Sequence, residues 1–367
     1  MEKLLLLAGC ALLAAVSVRA QNLTLPTASP RAGVRQTIGI TKVSVDYGRP
    51  AVNGREIWGK LVPFGTTDTG FGTTKASPWR AGSDMSTVVT FSTDVRVAGK
   101  PLPAGAYSLH LVLTPEGVVT AIFNRNTAQW GSFFYDPAED ALCVATKWED
   151  APPQDQLAYE FTDVTKNSAT LALRWEKKKI PLALAVDTDA IVLASLKREL
   201  SGAHGFNDRS YFNASDYLTQ NNLDPELALV WAERSLEIRT NGRVSFENLA
   251  QKAVALEKLG RAAEAVAVMD QALPLGTVAE IHQYGRRLIV AKQAERALAV
   301  FKLNAERFPN VWPVNYGLAR GYSAVGNYSA ALEALLKAQV QVPAGDTVNA
   351  AAIATNLEKL KRGENIN

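Results

Sequence analysis

The sequence predicts two fold classes in succession: an all-β antiparallel sandwich or barrel domain, then an all-α domain of helical repeats. Three observations support this prediction. Short β-branched and aromatic runs broken by turn residues fill the first half, helical spacing begins near Thr188, and positions in the second half recur after 34 residues. The 367 residues also exceed the length of about 250 to 300 residues at which single hydrophobic cores stop growing.

We divide the chain into five segments on this basis. They are a signal peptide at 1–20, an N-terminal linker at 21–35, an all-β domain at 36–187, a connecting helix and linker at 188–204, and helical repeats at 205–367.

The first twenty residues have the pattern of a secretory signal peptide. Lys3 gives a positive start, residues 4–18 form an apolar run, and Val18-Arg19-Ala20 is a small-x-small cleavage signal before Gln21. The run is shorter than the roughly 20 residues that a helix needs to cross a bilayer, and no later segment is long and apolar enough. We therefore expect an exported protein, periplasmic or extracellular, with no transmembrane segment.

One alternative for the N-terminus is a lipoprotein, because Leu7-Ala8-Gly9-Cys10 resembles a lipoprotein cleavage box that would place lipid on Cys10. The stretch between Lys3 and Cys10 is short for such a signal. If Cys10 is removed, Cys143 is the only cysteine left and no internal disulfide can form. Cys143 lies in the apolar run 141–145, which predicts a buried small side chain.

The net charge of +3 is spread along the chain without a block of Lys and Arg, so we expect no nucleic-acid partner.

Nine runs in the first half are candidate strands, and no helical crossover separates them, which favours antiparallel pairing. They are Lys42–Tyr47, Thr87–Phe91, Ala106–Leu113, Val118–Phe123, Trp130–Phe134, Leu142–Lys147, Leu157–Asp163, Ala169–Trp175 and Ile180–Val186.

Six ordered motifs stand out in this half: VSVDYGRP at 43–50, GREIWG at 54–59, LVPFG at 61–65, WRAG at 79–82, LPAGAYSL at 102–109 and QWG at 129–131. Over about residues 34–186 they resemble the DUF 2911 family, an uncharacterised domain of exported bacterial proteins. The resemblance implies no known activity.

Two departures from the family pattern affect the expected site. The Gly/Thr-rich segment 66–77 is inserted before the Trp-Arg motif, where we expect a flexible loop. Asp84-Met85 stands where the family tends to carry Asn-Glu, so the carboxylate that could serve as a metal ligand or general base is missing at Met85.

The second half has the 34-residue period of tetratricopeptide repeats, and four helical hairpins plus a terminal helix near Val348–Lys361 fit its length. The recurring pairs are Ala297 with Ala331, Phe301 with Leu335, and Pro309 with Pro343. Stacked hairpins leave a concave surface that usually binds peptides or other proteins. The alternative is that the short array is only a scaffold.

No enzymatic signature is found, so the catalytic residues are unknown. The three histidines, His110, His204 and His282, form no close-spaced pair, which argues against a histidine-based metal site. The Gly-x-Ser-x-Gly and Walker motifs are absent. We predict no metal and no cofactor.

Polar and aromatic residues in the loops of the β domain are the ligand-binding candidates: Asp46, Arg49, Trp79, Arg80, Asp84 and Trp130. An arginine can grip a carboxylate or phosphate, and an exposed tryptophan can bind a sugar ring, so we expect a small anionic ligand or a carbohydrate. The alternative is structural, with Arg80–Asp84 or Arg49–Asp46 ion pairs holding loops and the tryptophans filling the core.

The sequence thus predicts a binding or assembly protein of the bacterial envelope, with a protein or peptide partner on the repeats and a ligand-binding or docking β domain. The alternative is an envelope hydrolase acting on glycans or peptides, which requires Asp46, Arg80 and Asp84 to converge on one pocket. A sugar-binding protein would instead need Trp58, Trp79 or Trp130 exposed in a row.

Overall fold

The computed structural model describes residues 26–367, and the chain divides into two compact units between Ile191 and Val192. The predicted signal peptide and Cys10 lie outside the described residues. The predicted linker 21–35 is described only in part, and its described end is not a linker, because the first strand begins at Arg31.

The described residues of the first unit form the strands β1 Arg31–Ile38, β2 Thr41–Gly48, β3 Thr87–Phe91, β4 Val95–Val97, β5 Lys100–Leu102, β6 Gly105–Leu113, β7 Val118–Asn124, β8 Asp140–Lys147, β9 Glu149–Thr162 and β10 Ser168–Ala185. They make two antiparallel sheets, one of six strands in the order β1-β2-β3-β6-β7-β8 and one of four in the order β5-β4-β10-β9. Neither sheet closes on itself, so the all-β prediction is confirmed without a barrel.

The two sheets share one hydrophobic core. Strand β2 shows how the sequence builds it, because Val43, Val45 and Tyr47 are buried while Lys42 and Asp46 face solvent, the alternation of a strand with one face on a core. A group of four tryptophans lies in or against this core: Trp58, Trp79, Trp148 and Trp175.

Three local predictions in this unit are wrong. Residues 130–134 form a turn rather than a strand, and Trp130 makes only an isolated bridge to Met85. The two strands predicted at 169–175 and 180–186 are one strand, β10, whose register shifts near Glu176. Cys143, predicted to be buried, is exposed, because side chains alternate along β8 and its neighbour Val144 is the one that faces the core.

The helices are α1 Thr188–Leu200, α2 Asp208–Gln220, α3 Pro225–Arg234, α4 Phe246–Lys258, α5 Ala262–Ala272, α6 Val278–Val290, α7 Ala294–Arg307, α8 Trp312–Ala324, α9 Tyr328–Gln341 and α10 Thr347–Lys361. They form hairpins joined by short turns, α2 with α3, α4 with α5, α6 with α7 and α8 with α9, and α10 packs on α9. The predicted helical repeats are therefore confirmed.

The positions that recur after 34 residues hold these hairpins together. Ala297 and Ala331 are fully buried, as are Phe301 and Leu335. At Gly317 in α8, an added Cβ would lie 2.7 Å from the Phe301 ring, so the absence of a side chain there lets α7 and α8 approach closely. None of the helices within residues 26–367 has the length and apolar character to cross a membrane.

Candidate functional site

A pocket of about 210 Å³ opens among the loops of the β unit. The inserted segment 66–77 contributes Thr67, Thr69 and Ser77 to its lining, and the Trp-Arg motif contributes Arg80. Ser132 and Phe133, from the turn that follows β7, also line it. The insert that distinguishes this chain from the family pattern is therefore part of the pocket wall.

Arg80 is half-buried in this pocket and held on three sides. Its Nη1 donates a hydrogen bond to the carbonyl oxygen of Asp84 at 2.9 Å, and its Cζ lies 5.3 Å from the centre of the Phe133 ring. Gly131 has φ +67°, and a Cβ there would be 2.8 Å from the Arg80 Cζ, so glycine permits both the turn and the close approach. Burial lowers the pKa of Arg80, while the charge of Asp84 opposes that shift.

The two ion pairs expected from the sequence are not formed. Asp84 meets Arg80 through its main-chain carbonyl, and its own side chain is exposed. Arg49 instead donates from Nε to the carbonyl oxygen of Leu157 at 3.0 Å, and thereby ties the end of β2 to β9. Asp46 is exposed on β2, opposite Gly33, and is not part of the pocket wall. Of the six candidates, the structure brings together Trp79 and Arg80 at the pocket, with Asp84 beside them and Trp130 stacked on the lining residue Phe133.

The tryptophans do not form an exposed row. Trp79 is half-buried and stacks on Trp175 with ring centres 6.0 Å apart, and its main chain pairs with Leu111. Trp58 is also half-buried and packs edge-on against Trp79. Only Trp130 of the three presents a large surface, with 55% of it exposed. The geometry required for a sugar-binding row of tryptophans is therefore missing.

An aromatic rim, which we define as Phe71, Trp130 and Phe133, lies beside Arg80. Trp130 stacks on Phe133 with ring centres 5.4 Å apart, and Phe71 meets Phe133 edge-on at 6.2 Å. The main-chain N–H groups of Thr73 and Thr74 donate to the Phe133 carbonyl oxygen at 2.9 and 3.2 Å. These hydrogen bonds attach the insert, for which the sequence predicts a flexible loop, to the turn that follows β7.

A buried chain of hydrogen bonds lies behind the pocket. His110 on β6 is fully buried, with Nδ1 3.0 Å from Ser132 Oγ and Nε2 3.0 Å from Ser108 Oγ. The Ser108 hydroxyl can donate to the Asn124 carbonyl oxygen at 3.5 Å. A proton on Nε2 gives every hydroxyl in this chain an acceptor, so we assign Ser132 as the donor to Nδ1. No local motif links positions 110 and 132, and sequence reasoning missed the pair.

His110 is neutral at pH 7. Burial, and secondly the positive charge of Arg80, lower its pKa to about 4. A serine bound to a neutral histidine could suggest a nucleophile and its base, yet the imidazolium formed by proton transfer would be disfavoured by the same two causes. Its Nε2 faces the hydroxyl of Ser108, and a serine, unlike a carboxylate, supplies no negative charge to stabilise an imidazolium. The arrangement is therefore suited to holding the turn at Ser132, and it gives no support to hydrolysis.

The helical unit has a groove of about 350 Å³ across α2, α4 and α6, the first helices of three successive hairpins. Phe212, Phe246 and Val254 are among its apolar lining residues. Glu247 also lines the groove, and one of its carboxylate oxygens is ion-paired with Arg209 at 2.9 Å. The groove thus combines an apolar floor with charged side chains. Within residues 26–367, no group of three or more His, Cys, Asp or Glu side chains is placed to hold a metal ion.

The neutral state of His110 predicts a pH-dependent stability of the β unit. In the unfolded chain its pKa is near the usual 6.5, so below pH 6.5 the unfolded state binds the proton that the folded state excludes until about pH 4. The contribution of neutral His110 to stability is therefore fully present above pH 6.5 and is lost as the pH falls toward 4. At pH 5 this histidine should lower the free energy of unfolding of the β unit by about 2 kcal/mol relative to pH 7.

Urea unfolding of the β unit, followed by tryptophan fluorescence at pH 7 and pH 5, measures this effect. In His110→Asn, the difference between the free energies of unfolding at pH 7 and pH 5 should be smaller by about 2 kcal/mol. An NMR titration of the imidazole provides a direct check that does not depend on the variant's folding. A titration midpoint above pH 6 in the folded protein would contradict the assignment.

Known proteins resemble each unit separately. Residues 29–184 match the family described as "Protein of unknown function (DUF2911)". No curated protein matches the chain. The helical part is similar to MamA from Desulfovibrio magneticus RS-1, at 25% identity over 44% of this chain and 97% of that one, with a TM-score of 0.28.

Two further solved structures resemble the helical part. YrrB, described as a TPR protein with an unusual peptide-binding site, shares 21% identity over 46% of this chain and 81% of its own, with a TM-score of 0.31. The C-terminal part of a TPR repeat-containing protein from Cytophaga hutchinsonii shares 14% identity over 47% of this chain and 66% of its own, with a TM-score of 0.36. Residues 29–184 of the β unit thus match the DUF2911 family model, and the helical unit is similar to TPR-repeat proteins.

Proposed function

We propose that this protein is an exported binding protein of the bacterial envelope, whose helical repeats hold a segment of a partner protein and whose β domain binds a small anionic ligand. The observation that carries the proposal is the groove across α2, α4 and α6, because a stack of hairpins presents equivalent faces of successive first helices to one ligand.

The groove has the composition of a surface for an extended peptide. Val254 and Phe212 are half-buried and offer apolar area, while Gln283 and Glu247 are exposed and can form hydrogen bonds with a peptide main chain. Gln251 has a different role, since its Nε2 donates to Ser215 at 3.0 Å and fixes the floor. Apolar contact with a few polar partners is the usual composition of a binding site.

The ligand-binding role of the β domain is supported by Arg80. Its guanidinium lines the pocket and has a main-chain carbonyl rather than a carboxylate as its protein partner. The hydrolase alternative receives less support, because Asp46 is away from the pocket wall and Asp84 contributes its carbonyl oxygen to Arg80.

Export remains part of the proposal on the basis of the first twenty residues. When the full gene is expressed in a Gram-negative host, intact mass and N-terminal peptide analysis should show a mature protein that begins at Gln21 in the periplasmic or culture fraction. A mature protein that begins at a lipid-modified Cys10 would favour the lipoprotein alternative. An uncleaved protein confined to the cytoplasm would contradict export.

The repeat groove can be tested by filling it. Ala279 is an exposed lining residue on α6, so Ala279→Trp places an indole in the groove without disturbing the core. Peptides selected from a random displayed library on the full chain should bind this variant at least about tenfold more weakly, the effect of losing about 1.4 kcal/mol.

The matched control is Val290→Trp, because Val290 lies on the same helix, is 85% exposed and does not line the groove. It should leave the affinity of the peptides unchanged. Selection of no peptide, or of peptides that bind Ala279→Trp as tightly as the wild type, would exclude the groove as the binding surface.

A further inference from the structure

The Arg80 guanidinium is fixed in position but lacks a countercharge in direct contact. Of the five N–H groups that an arginine carries, the one on Nη1 that bonds to the Asp84 carbonyl is the only one with a protein acceptor in the described part of the chain. No ion pair joins Arg80 to a carboxylate within residues 26–367. The donors that remain are available to a ligand in the pocket.

Three of the four hydroxyl groups that line the pocket are already bound to the protein, and Thr67 carries the fourth. The Ser132 hydroxyl is bound to His110, the Ser77 hydroxyl donates to the Ser132 carbonyl oxygen at 3.2 Å, and that of Thr69 donates to the Phe71 carbonyl oxygen at 3.4 Å. Arg80 is left as the one cationic side chain lining the pocket. A single guanidinium fork matches the two oxygens of a carboxylate, whereas a phosphate presents three oxygens and up to two negative charges.

The size of the pocket limits what can enter it. Pockets for drug-sized ligands measure about 300 to 1,000 Å³, and this one measures about 210 Å³. A small molecule, or the end of a larger one, therefore fits best.

The aromatic rim lies beside the guanidinium. Phe133 is in contact with Arg80 and Trp130, and it also meets Phe71. Phe71 is 73% exposed and Trp130 55% exposed, so their rings have large free surfaces next to the fixed positive charge. Exposed aromatic surface of this kind is stabilised by stacking with an aromatic or flat apolar group.

We propose that the pocket binds a small carboxylate that carries an aromatic or flat apolar group, with its carboxylate on Arg80 and its ring against the aromatic rim. The inference rests on the ligand-binding role proposed for the β domain. Phe71 belongs to the insert 66–77, so the insert supplies part of the selectivity for the ring.

Isothermal titration calorimetry of the full chain tests the proposal with three probes: benzoate, acetate and benzyl alcohol. Benzoate has both features, acetate lacks the ring, and benzyl alcohol lacks the charge. Benzoate should bind with one-to-one stoichiometry and about three- to tenfold more tightly than acetate, since an aromatic contact is worth about 0.5 to 1.5 kcal/mol. Benzyl alcohol should bind at least about tenfold more weakly than benzoate.

Two variants locate the site, each with a matched control. Arg80→Gln should weaken benzoate binding about tenfold or more, while Arg35→Gln, which removes an exposed arginine of β1, should leave it unchanged. Trp130→Ala should weaken benzoate binding about threefold while leaving acetate binding the same. Phe134→Ala, which removes an exposed aromatic of the same turn, should change neither.

Equal affinities for benzoate and acetate, both lost in Arg80→Gln, would overturn the aromatic selectivity while leaving anion binding intact. Tighter binding of inorganic phosphate than of benzoate would overturn the assignment of a carboxylate ligand, and it too would leave anion binding intact. Benzoate affinity that is unaffected by Arg80→Gln, or no binding of any anion, would overturn both this inference and the β-domain half of the proposed function. Peptide binding by the helical groove is measured separately and does not depend on these outcomes.

Discussion

The buried hydrogen bond between His110 and Ser132 is the interaction on which the β-domain pocket depends. It joins the middle of β6 to the turn after β7, and a lost partner would leave a buried polar atom unsatisfied at a cost of about 1 to 3 kcal/mol. The turn held in this way brings Gly131 against Arg80 and presents the Phe133 carbonyl oxygen to the insert. The guanidinium, the aromatic rim and the inserted loop are all positioned through this one turn.

The same histidine accounts for the chemical character of the pocket. The neutral imidazole donates to and accepts from hydroxyl groups without adding charge, so Arg80 provides the positive charge of the lining. Because burial and Arg80 both lower the pKa of His110, the imidazolium that would form if His110 accepted a proton as a general base is disfavoured. A fixed cation beside exposed aromatic rings fits the ligand-binding role proposed for this pocket.

Periodic features could be predicted from the sequence, whereas long-range contacts could not. The alternation along β2 and the 34-residue spacing of Ala297 and Ala331 report burial directly, so both fold classes were correct. The aromatic residues of segment 130–134 predict a strand, but the segment forms a turn in which Gly131 has a positive φ. The register shift in β10 near Glu176 had no recognisable sequence signal.

Only the part of the candidate site that is local in sequence could be predicted. One short stretch of the chain contains Trp79, Arg80 and Asp84, so their proximity follows from the sequence. Asp46 and Arg49 lie near one another in sequence too, yet the alternation of β2 exposes Asp46 while Arg49 turns to the Leu157 carbonyl. The contribution of Phe71 and of Ser132 depends on tertiary contacts of the insert and of the turn after β7, which spacing along the chain does not encode.

A crystal structure of the full chain grown with benzoate would show directly what Arg80 binds. We expect a carboxylate oxygen about 2.7 to 2.9 Å from an Arg80 guanidinium nitrogen, with the ring against Phe133 or Trp130. An Arg80 paired with a carboxylate of the protein itself, or benzoate bound only at other surfaces, would contradict this expectation.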